Sequence, residues 1–383
     1  VKVWPKVALG DLLRRSDEAA VLDPAAEYHE VTIKLWGKGV VSRGKVRGGD
    51  IVSVRRVVRA NQLILSKIDA RHGAIGLVPP GLDGAIVSND FPSFEFCDPE
   101  QCDAAFMGWL VRSAPFVELC KAASEGTTNR VRIKEDRLLD QQIGLPPLAE
   151  QRAIAARLDA LAGKTRDVEA HLDAVERDAG RLVRSYIFHP QGEQTIKRRM
   201  SELVQQRPTD ILVDRTAQYR FAGVYSFGRG VFPSVVKAGT EFAYDRLSTV
   251  RAGDFTYPKL MAWEGALGVV PPACDGMVVS PEFPVFGINT DEVLPEILDI
   301  YFRTPEVWPA LAELSGGTNV RRRRLQPSAF LRYQMPVPSK TAQLKVREAF
   351  RRTQALKSEH AAIRQANAAL IPATLERIFA GNP

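Results

Sequence analysis

The chain reads twice. Gly37-Lys38-Gly39-Val40 is echoed by Gly228-Arg229-Gly230-Val231, each a short distance after a tyrosine, Tyr28 and Tyr219. Gly76-Leu77-Val78-Pro79-Pro80 returns as Gly268-Val269-Val270-Pro271-Pro272. Asp83-Gly84, Val87-Ser88, Phe91-Pro92 and Phe94 return as Asp275-Gly276, Val279-Ser280, Phe283-Pro284 and Phe286. Ser124, Gly126 and Thr127 match Ser315, Gly317 and Thr318, and Pro146 with Gln151 matches Pro338 with Gln343. One offset, 191 to 192, holds through five separated blocks and wavers only as small loop insertions make it do, so the 383 residues are an internal duplication.

Each copy has two textures. The first is rich in β-branched and aromatic runs punctuated by Gly and Pro. Strands are expected at Glu30 to Ile33, Gly39 to Ser42, Ile51 to Val54, Gln62 to Ile68, Gly223 to Phe227 and Ala266 to Val270. Near-helical spacing of Ala105, Phe106, Trp109, Leu110, Phe116, Val117 and Cys120 predicts a helix over 103–123, with a counterpart over 292–314; Pro115 and Pro309 interrupt or divide them.

The second texture is a long helix. Leu158, Leu161, Thr165, Val168, Leu172, Val175, Ala179, Leu182 and Tyr186 alternate steps of three and four, a heptad seam. A weaker seam runs Val346, Phe350, Thr353, Leu356, His360, Ile363, Asn367, Leu370 and Thr374, and Pro372 is expected to kink or end that helix. His360 reads as a packed polar residue, and Asn367 as a residue that helps fix register. Helices this long need a partner, and each is the nearest available to the other. The expected fold is therefore α+β: two β-rich mixed globular domains joined by two long antiparallel coiled-coil helices, with an internal pseudo-two-fold repeat. The expected division is 1–145 globular, 146–190 helix, 191–337 globular and 338–383 helix.

Catalytic signatures are missing. No Gly-x-x-x-x-Gly-Lys-[Ser/Thr] loop, HExxH or GxSxG occurs, no Gly-rich cofactor loop follows a strand, and five His are few for an acid-base site. The Val-Pro-Pro segments lack the Asn and aromatic that an amino-methyltransferase places around its Pro-Pro pair. The four Cys form no CxxC and stand apart from His at zinc-ligand spacing, so neither a disulfide framework nor a metal site is expected. No apolar run spans a bilayer and Val1 to Pro5 is no signal core, which predicts a soluble, cytoplasmic protein without membrane association. No catalytic residue is assigned; what remains is binding.

The net charge of +7 suits a polyanion only weakly by itself. Its placement says more. Arg43, Lys45, Arg47, Arg55, Arg56 and Arg59 lie close together, expected in loops. Asn129, Arg130, Arg132, Lys134 and Arg137 follow the first Ser-x-Gly-Thr block, and Asn319 precedes Arg321, Arg322, Arg323 and Arg324 after the second. Lys67 is matched by Lys259, and Arg71-His72-Gly73 by Trp263-Glu264-Gly265, so two related modules would read different bases. The candidate DNA contacts are Arg43, Lys45, Arg47, Lys67, Arg71, Asn129, Arg130, Arg132, Arg229, Lys259, Asn319, Arg321, Arg322, Arg323 and Arg324: phosphate from Lys and Arg, one module per half-site of a bipartite duplex.

Leu145-Pro146-Pro147-Leu148-Ala149-Glu150-Gln151-Arg152-Ala153-Ile154, running into Leu158-Asp159-Ala160-Leu161, strongly resembles the central conserved region of the specificity subunits of type I restriction–modification systems. The family order, target recognition domain, conserved helix, second target recognition domain, second conserved helix, spans essentially the whole chain. The resemblance implies a non-catalytic subunit that reads two short sequences in double-stranded DNA across a nonspecific spacer. It implies two modification (methyltransferase) subunits docked on the helices and a restriction subunit in the full complex. Those partners would bind S-adenosylmethionine for adenine methylation, and ATP and Mg for translocation and cleavage; this chain would hold no cofactor. Family position makes Pro146, Pro147, Glu150, Gln151, Pro338 and Gln343 the partner-binding candidates. The second copy departs from the pattern: Lys340-Thr341-Ala342 stands where Leu148 is followed by Ala149 and Glu150, so the two docking sites would be inequivalent. Two other readings stay open: a structural adaptor whose helices bind protein, and the recognition subunit of a methyltransferase-only system.

Overall fold

The computed structural model describes residues 4–126, 131–188, 195–317 and 323–380. They fall into two compact units, Val1–Ala170 with Ala362–Pro383, and His171–Ala361.

The first unit opens with β1 (Lys6–Ala8), a single turn α1 (Leu9–Leu12) and β2 (Leu13–Ser16). The hairpin β3 (Glu27–Ile33) and β4 (Val40–Arg47) follows, then β5 (Arg56–Val58), β6 (Leu63–Leu65), β7 (Ile75–Leu77), β8 (Ala85–Val87) and β9 (Ser93–Phe96). One four-stranded sheet has the order β4-β3-β8-β5 and the other β2-β9-β6-β7. Leu63, Ile64 and Leu65 explain how the sheets share a centre. Successive side chains of a strand point to opposite faces, so Leu63 and Leu65 enter the larger core while Ile64 enters the smaller one with Val31, Ile33 and Val87. The expected strand at Ile51–Val54 is corrected: those residues are unpaired, Val52 and Val54 are exposed, and the ladder resumes only at Arg56. β-branched propensity without one buried face is not sufficient for a strand.

Two helices, α2 (Ala104–Leu110) and α3 (Ala114–Ala122), fill the stretch expected to be helical and divided near Pro115. Pro115 sits in the first turn of α3, where its missing N–H costs nothing, and the Asp103 and Ser113 side chains accept from Phe106 N and Phe116 N at the two N-caps. The short strands β10 (Ser124–Glu125) and β11 (Arg132–Ile133), the turn α4 (Glu135–Leu139) and β12 (Gln142–Gly144), which pairs with β1, lead into α5 (Leu148–Phe188).

The second unit runs β13 (Ile196–Arg199), α6 (Met200–Leu203), β14 (Val204–Arg207), β15 (Ile211–Leu212) and the hairpin β16 (Gln218–Tyr225) and β17 (Gly230–Ala238). Next come β18 (Arg246–Thr249), β19 (Phe255–Thr256), β20 (Gly268–Val269), β21 (Val278–Val279) and β22 (Val285–Ile288). Helices α7 (Pro295–Phe302), α8 (Trp308–Leu314) and α9 (Pro327–Arg332) precede β23 (Gln334–Val337) and α10 (Lys340–Phe379). Its sheets have the orders β14-β22-β19-β20 and β15-β18-β21-β16-β17, the same connectivity as in the first unit with β15 added at an edge. Pro309 falls in the first turn of α8, as its counterpart does in α3.

Each unit closes its core with pieces of both long helices. In the first, Ala155 and Leu158 of α5 share the core with Leu375 and Phe379 of α10, and Phe379 meets the Trp4 and Phe106 rings edge-on at 6.1 and 5.8 Å. The Asn367 amide donates to the Thr165 carbonyl and to Glu169, both at 2.9 Å, and Arg364 pairs with Glu169, so the two segments run antiparallel. In the second, Val183 and Ile187 join Val346, and His360 Nδ1 lies 2.9 Å from Glu176. Of the two outcomes expected at Pro372, a kink or an end, the end is corrected: α10 continues to Phe379. Burial of Leu375 and Phe379 outweighs the hydrogen bond that a proline removes. The α5 seam is corrected too. Leu182 and Tyr186 are exposed, whereas the next residues, Val183 and Ile187, are buried. A helix with 3.6 residues per turn drifts about 20° per heptad from a strict seven-residue repeat.

Candidate nucleic-acid interface

The basic hairpin of the first unit is made by strand pairing. Arg43, Lys45 and Arg47 lie on β4, not in a loop as expected. The β3–β4 register passes from Glu30↔Gly44 to Val31↔Ser42, which leaves Arg43 as the extra residue of a bulge. All three are exposed; Lys45 lies 3.6 Å from Glu27. The equivalent β17 positions are Ser234, Val236 and Ala238, so this basic strand belongs to one copy only.

Other cations of the expected set are engaged at home. Arg55 pairs with Glu30 at 3.0 Å, Arg56 with Asp17 and Arg59 with Glu18. Lys67 Nζ lies 2.7 Å from Glu135, and Lys259 Nζ donates to the Pro281 carbonyl at 3.0 Å. Around each lysine the backbone repeats. Lys67 N donates to Asp90 and Lys259 N to Glu282, while their carbonyls accept from Ile133 and Leu325. Arg132 pairs with Asp90 at 3.0 Å and Arg324 with Glu282 at 2.7 Å. Arg71 is half-buried on a 3-10 turn, its Nε without a partner among the described residues, and Arg323 is half-buried. Asn129, Arg130, Asn319, Arg321 and Arg322 lie outside the described residues.

Two aromatic residues were not singled out from the sequence. Trp36 and Phe227 sit at the tips of the β3–β4 and β16–β17 hairpins, at the same 191 offset, with φ of 61° and 63°. Only one other non-glycine residue among those described, Asn61, has a positive φ. Each tip is stapled to the 3-10 turn beside it: Trp36 N and Gly37 N donate to the His72 and Gly73 carbonyls, and Phe227 N and Gly228 N to those of Glu264 and Gly265. Gly228 is required there, since a Cβ would lie 2.5 Å from the Arg303 carbonyl oxygen. Despite this anchoring the rings are 71% and 65% exposed. Beside the second tip, the Arg229 guanidinium lies 4.5 Å over the Tyr225 ring, which itself stacks on Phe232 at 3.7 Å. The signal in the sequence was the shared aromatic-Gly-basic-Gly tetrapeptide; its backbone conformation was not legible.

At the starts of the long helices, Pro146 and Pro338 are buried, Pro147 is exposed, and Glu150 accepts from Trp4 Nε1 at 3.3 Å. The expectation that Gln151 and Gln343 face a partner is corrected. Gln151 is 0% exposed: its Nε2 donates to the Gln101 and Pro146 carbonyls at 2.9 and 2.8 Å, and its Oε1 accepts from Asp103 N at 2.8 Å. Gln343 repeats the arrangement with Glu292, Pro338 and Leu294 N. The amides hold the helix to its own globular domain by satisfying both a backbone N–H and two carbonyls of the chain around it. What the helices do offer outward in the second unit is apolar: Leu182, Tyr186, Leu344 and Leu356 line an open cleft with Lys345 and Arg352.

Among the described residues, no three His, Cys, Asp or Glu side chains lie together to hold a metal, and no helix is long and apolar enough to cross a membrane. The fold, two mixed α/β units each closed by two long helices, is that of the specificity subunits of type I restriction–modification systems. The chain is similar to the HsdS subunit from Thermoanaerobacter tengcongensis, with 20% identity, a TM-score of 0.54 and coverage of 98% of this chain and 96% of that one. It is also similar to a chain of a type I R-M system whose structure concerns complex assembly and conformational transition, with 21% identity, a TM-score of 0.60 and coverage of 98% and 95%. No protein-family model and no curated protein matches the sequence.

Proposed function

We propose that this chain is the DNA-recognition subunit of a type I restriction–modification complex. The observation that carries the reading is a specificity-subunit fold matched over 98% of the chain, in which two domains of like connectivity carry unlike hairpin faces. Two such modules suit a bipartite duplex target, each domain reading its own half-site, with Arg43, Arg47 and Arg229 as exposed cations able to meet phosphate. The helix pair acts as a two-fold-related antiparallel coiled coil that joins the two domains. Two modification subunits dock on it, using the outward apolar residues and the Pro147 and Glu150 region, and a restriction subunit completes the assembly. The chain performs no catalysis; S-adenosylmethionine, ATP and Mg belong to the partners.

Methylome sequencing of the host with and without this gene tests the reading: a bipartite adenine-methylated motif disappears on deletion. An unchanged methylome sinks it. The full chain's affinity for duplex DNA should also fall steeply with salt, because each neutralised phosphate releases condensed counterion. A structural adaptor would show no such dependence.

A further inference from the structure

We infer that the two hairpin tips are DNA-contacting elements, in which Trp36 and Phe227 stack on a base or deoxyribose and Lys38 and Arg229 hold the adjoining phosphate. The inference rests on the DNA-recognition reading and deepens it. A left-handed backbone at a bulky residue is unfavourable and persists where the surroundings over-determine it. Here the surroundings are the paired donations to His72 and Gly73 and to Glu264 and Gly265. Neither ring is buried in return: each residue is mostly exposed, its ring centroid 6.1 Å from that of His72 or 6.3 Å from that of Trp308. Two copies that have diverged over most of their surface keep the same costly presentation, Trp36-Gly37-Lys38-Gly39 and Phe227-Gly228-Arg229-Gly230.

The chemistry of the tips selects the partner. Lys34 to Gly39 and Tyr225 to Gly230 contain cations and no carboxylate, and Lys34, Lys38 and Arg229 are exposed. An aromatic face beside a cation matches the base-and-phosphate repeat of nucleic acid, since every base offers a π-face and every linkage a charge. A protein surface would be met as well by an uncharged tip. The guanidinium of Arg229, held over Tyr225, is already ordered for such a contact.

Trp36→Gly and Phe227→Gly separate presentation from structure, because glycine adopts the observed φ without strain. The full-length variants should melt at or above the parent temperature and bind a mixed-sequence DNA duplex roughly tenfold more weakly or worse, while Trp36→Phe keeps most of the affinity. Parent-like DNA binding by both glycine variants overturns the inference, and so does loss of methyltransferase-subunit assembly with DNA affinity intact. As an independent readout, Trp36 is the most exposed of the five tryptophans. Saturating duplex should shield it from acrylamide quenching, with Trp36→Phe as the blank; unchanged quenching overturns the stacking contact. A parent chain that shows no salt-sensitive duplex binding instead removes the DNA-recognition reading itself.

Discussion

Tyr257 is enclosed by Phe255, Phe286 and Phe330, and among the described residues its hydroxyl has no hydrogen-bond partner. Burial drives the phenol well above its ordinary pKa. The first copy places Leu65 at the equivalent position, which needs no partner. Stripping a hydroxyl of water without replacing its hydrogen bond costs about 1–3 kcal/mol. Tyr257→Phe is therefore expected to raise unfolding stability by about 1 kcal/mol in a denaturant titration; a loss would mean the oxygen is satisfied. Side-chain placement was the least legible level of this sequence. Arg55, Arg56 and Arg59 looked like one basic patch, yet their acids, Glu30, Asp17 and Glu18, come from strands and loops brought alongside only by folding. Lys67 and Lys259 repeat because their backbone frames repeat, which mimics conservation of a contact.

At the scale of elements, the repeated Gln-after-Pro-Pro or Gln-after-Pro signal was visible, but the direction of the side chain was not. A polar residue in the first turn of a helix can face out or reach back to the chain that precedes it, and Gln151 and Gln343 both reach back. Gln151→Ala would take that partner from the part-buried Asp103 N and Gln101 carbonyl and from the buried Pro146 carbonyl, at a cost of about 3 kcal/mol. Hydrogen exchange of the full chain should show the loss in Val1–Ala170 and not in His171–Ala361; Gln343→Ala should reverse the pattern. A uniform loss would contradict the latch. The division of α2 from α3 at Pro115 was legible because proline has one favourable place in a helix. Passage of α10 through Pro372 was not, because it depends on Leu375 and Phe379 finding a core that residues far away in the chain supply.

At the scale of the molecule, the duplication was legible at once, since a fixed offset survives divergence of individual side chains. It did not reveal that the units exchange helix segments, so that one is continuous in sequence and the other is not. Removal of residues 362–383 should therefore be selective. It takes Leu375 and Phe379 from the core shared with Trp4, Phe106 and Leu158, and leaves Val183, Ile187 and Val346 in place. Loss of two large buried side chains costs several kcal/mol, so limited proteolysis should digest the first unit of the shortened chain and spare the second. Equal resistance of both would refute the division.

That discontinuity bears on how the protein is made. Translation proceeds at about 5–20 residues per second, and domains generally fold in the order they emerge. Here the stretch that emerges first must wait, its apolar face around Trp4 and Phe106 uncovered, until Phe379 leaves the ribosome. The later stretch, His171–Ala361, holds its whole core by then. Residues 4–170 thus complete their core after His171–Ala361 do, and stay open to chaperones and proteases for longer.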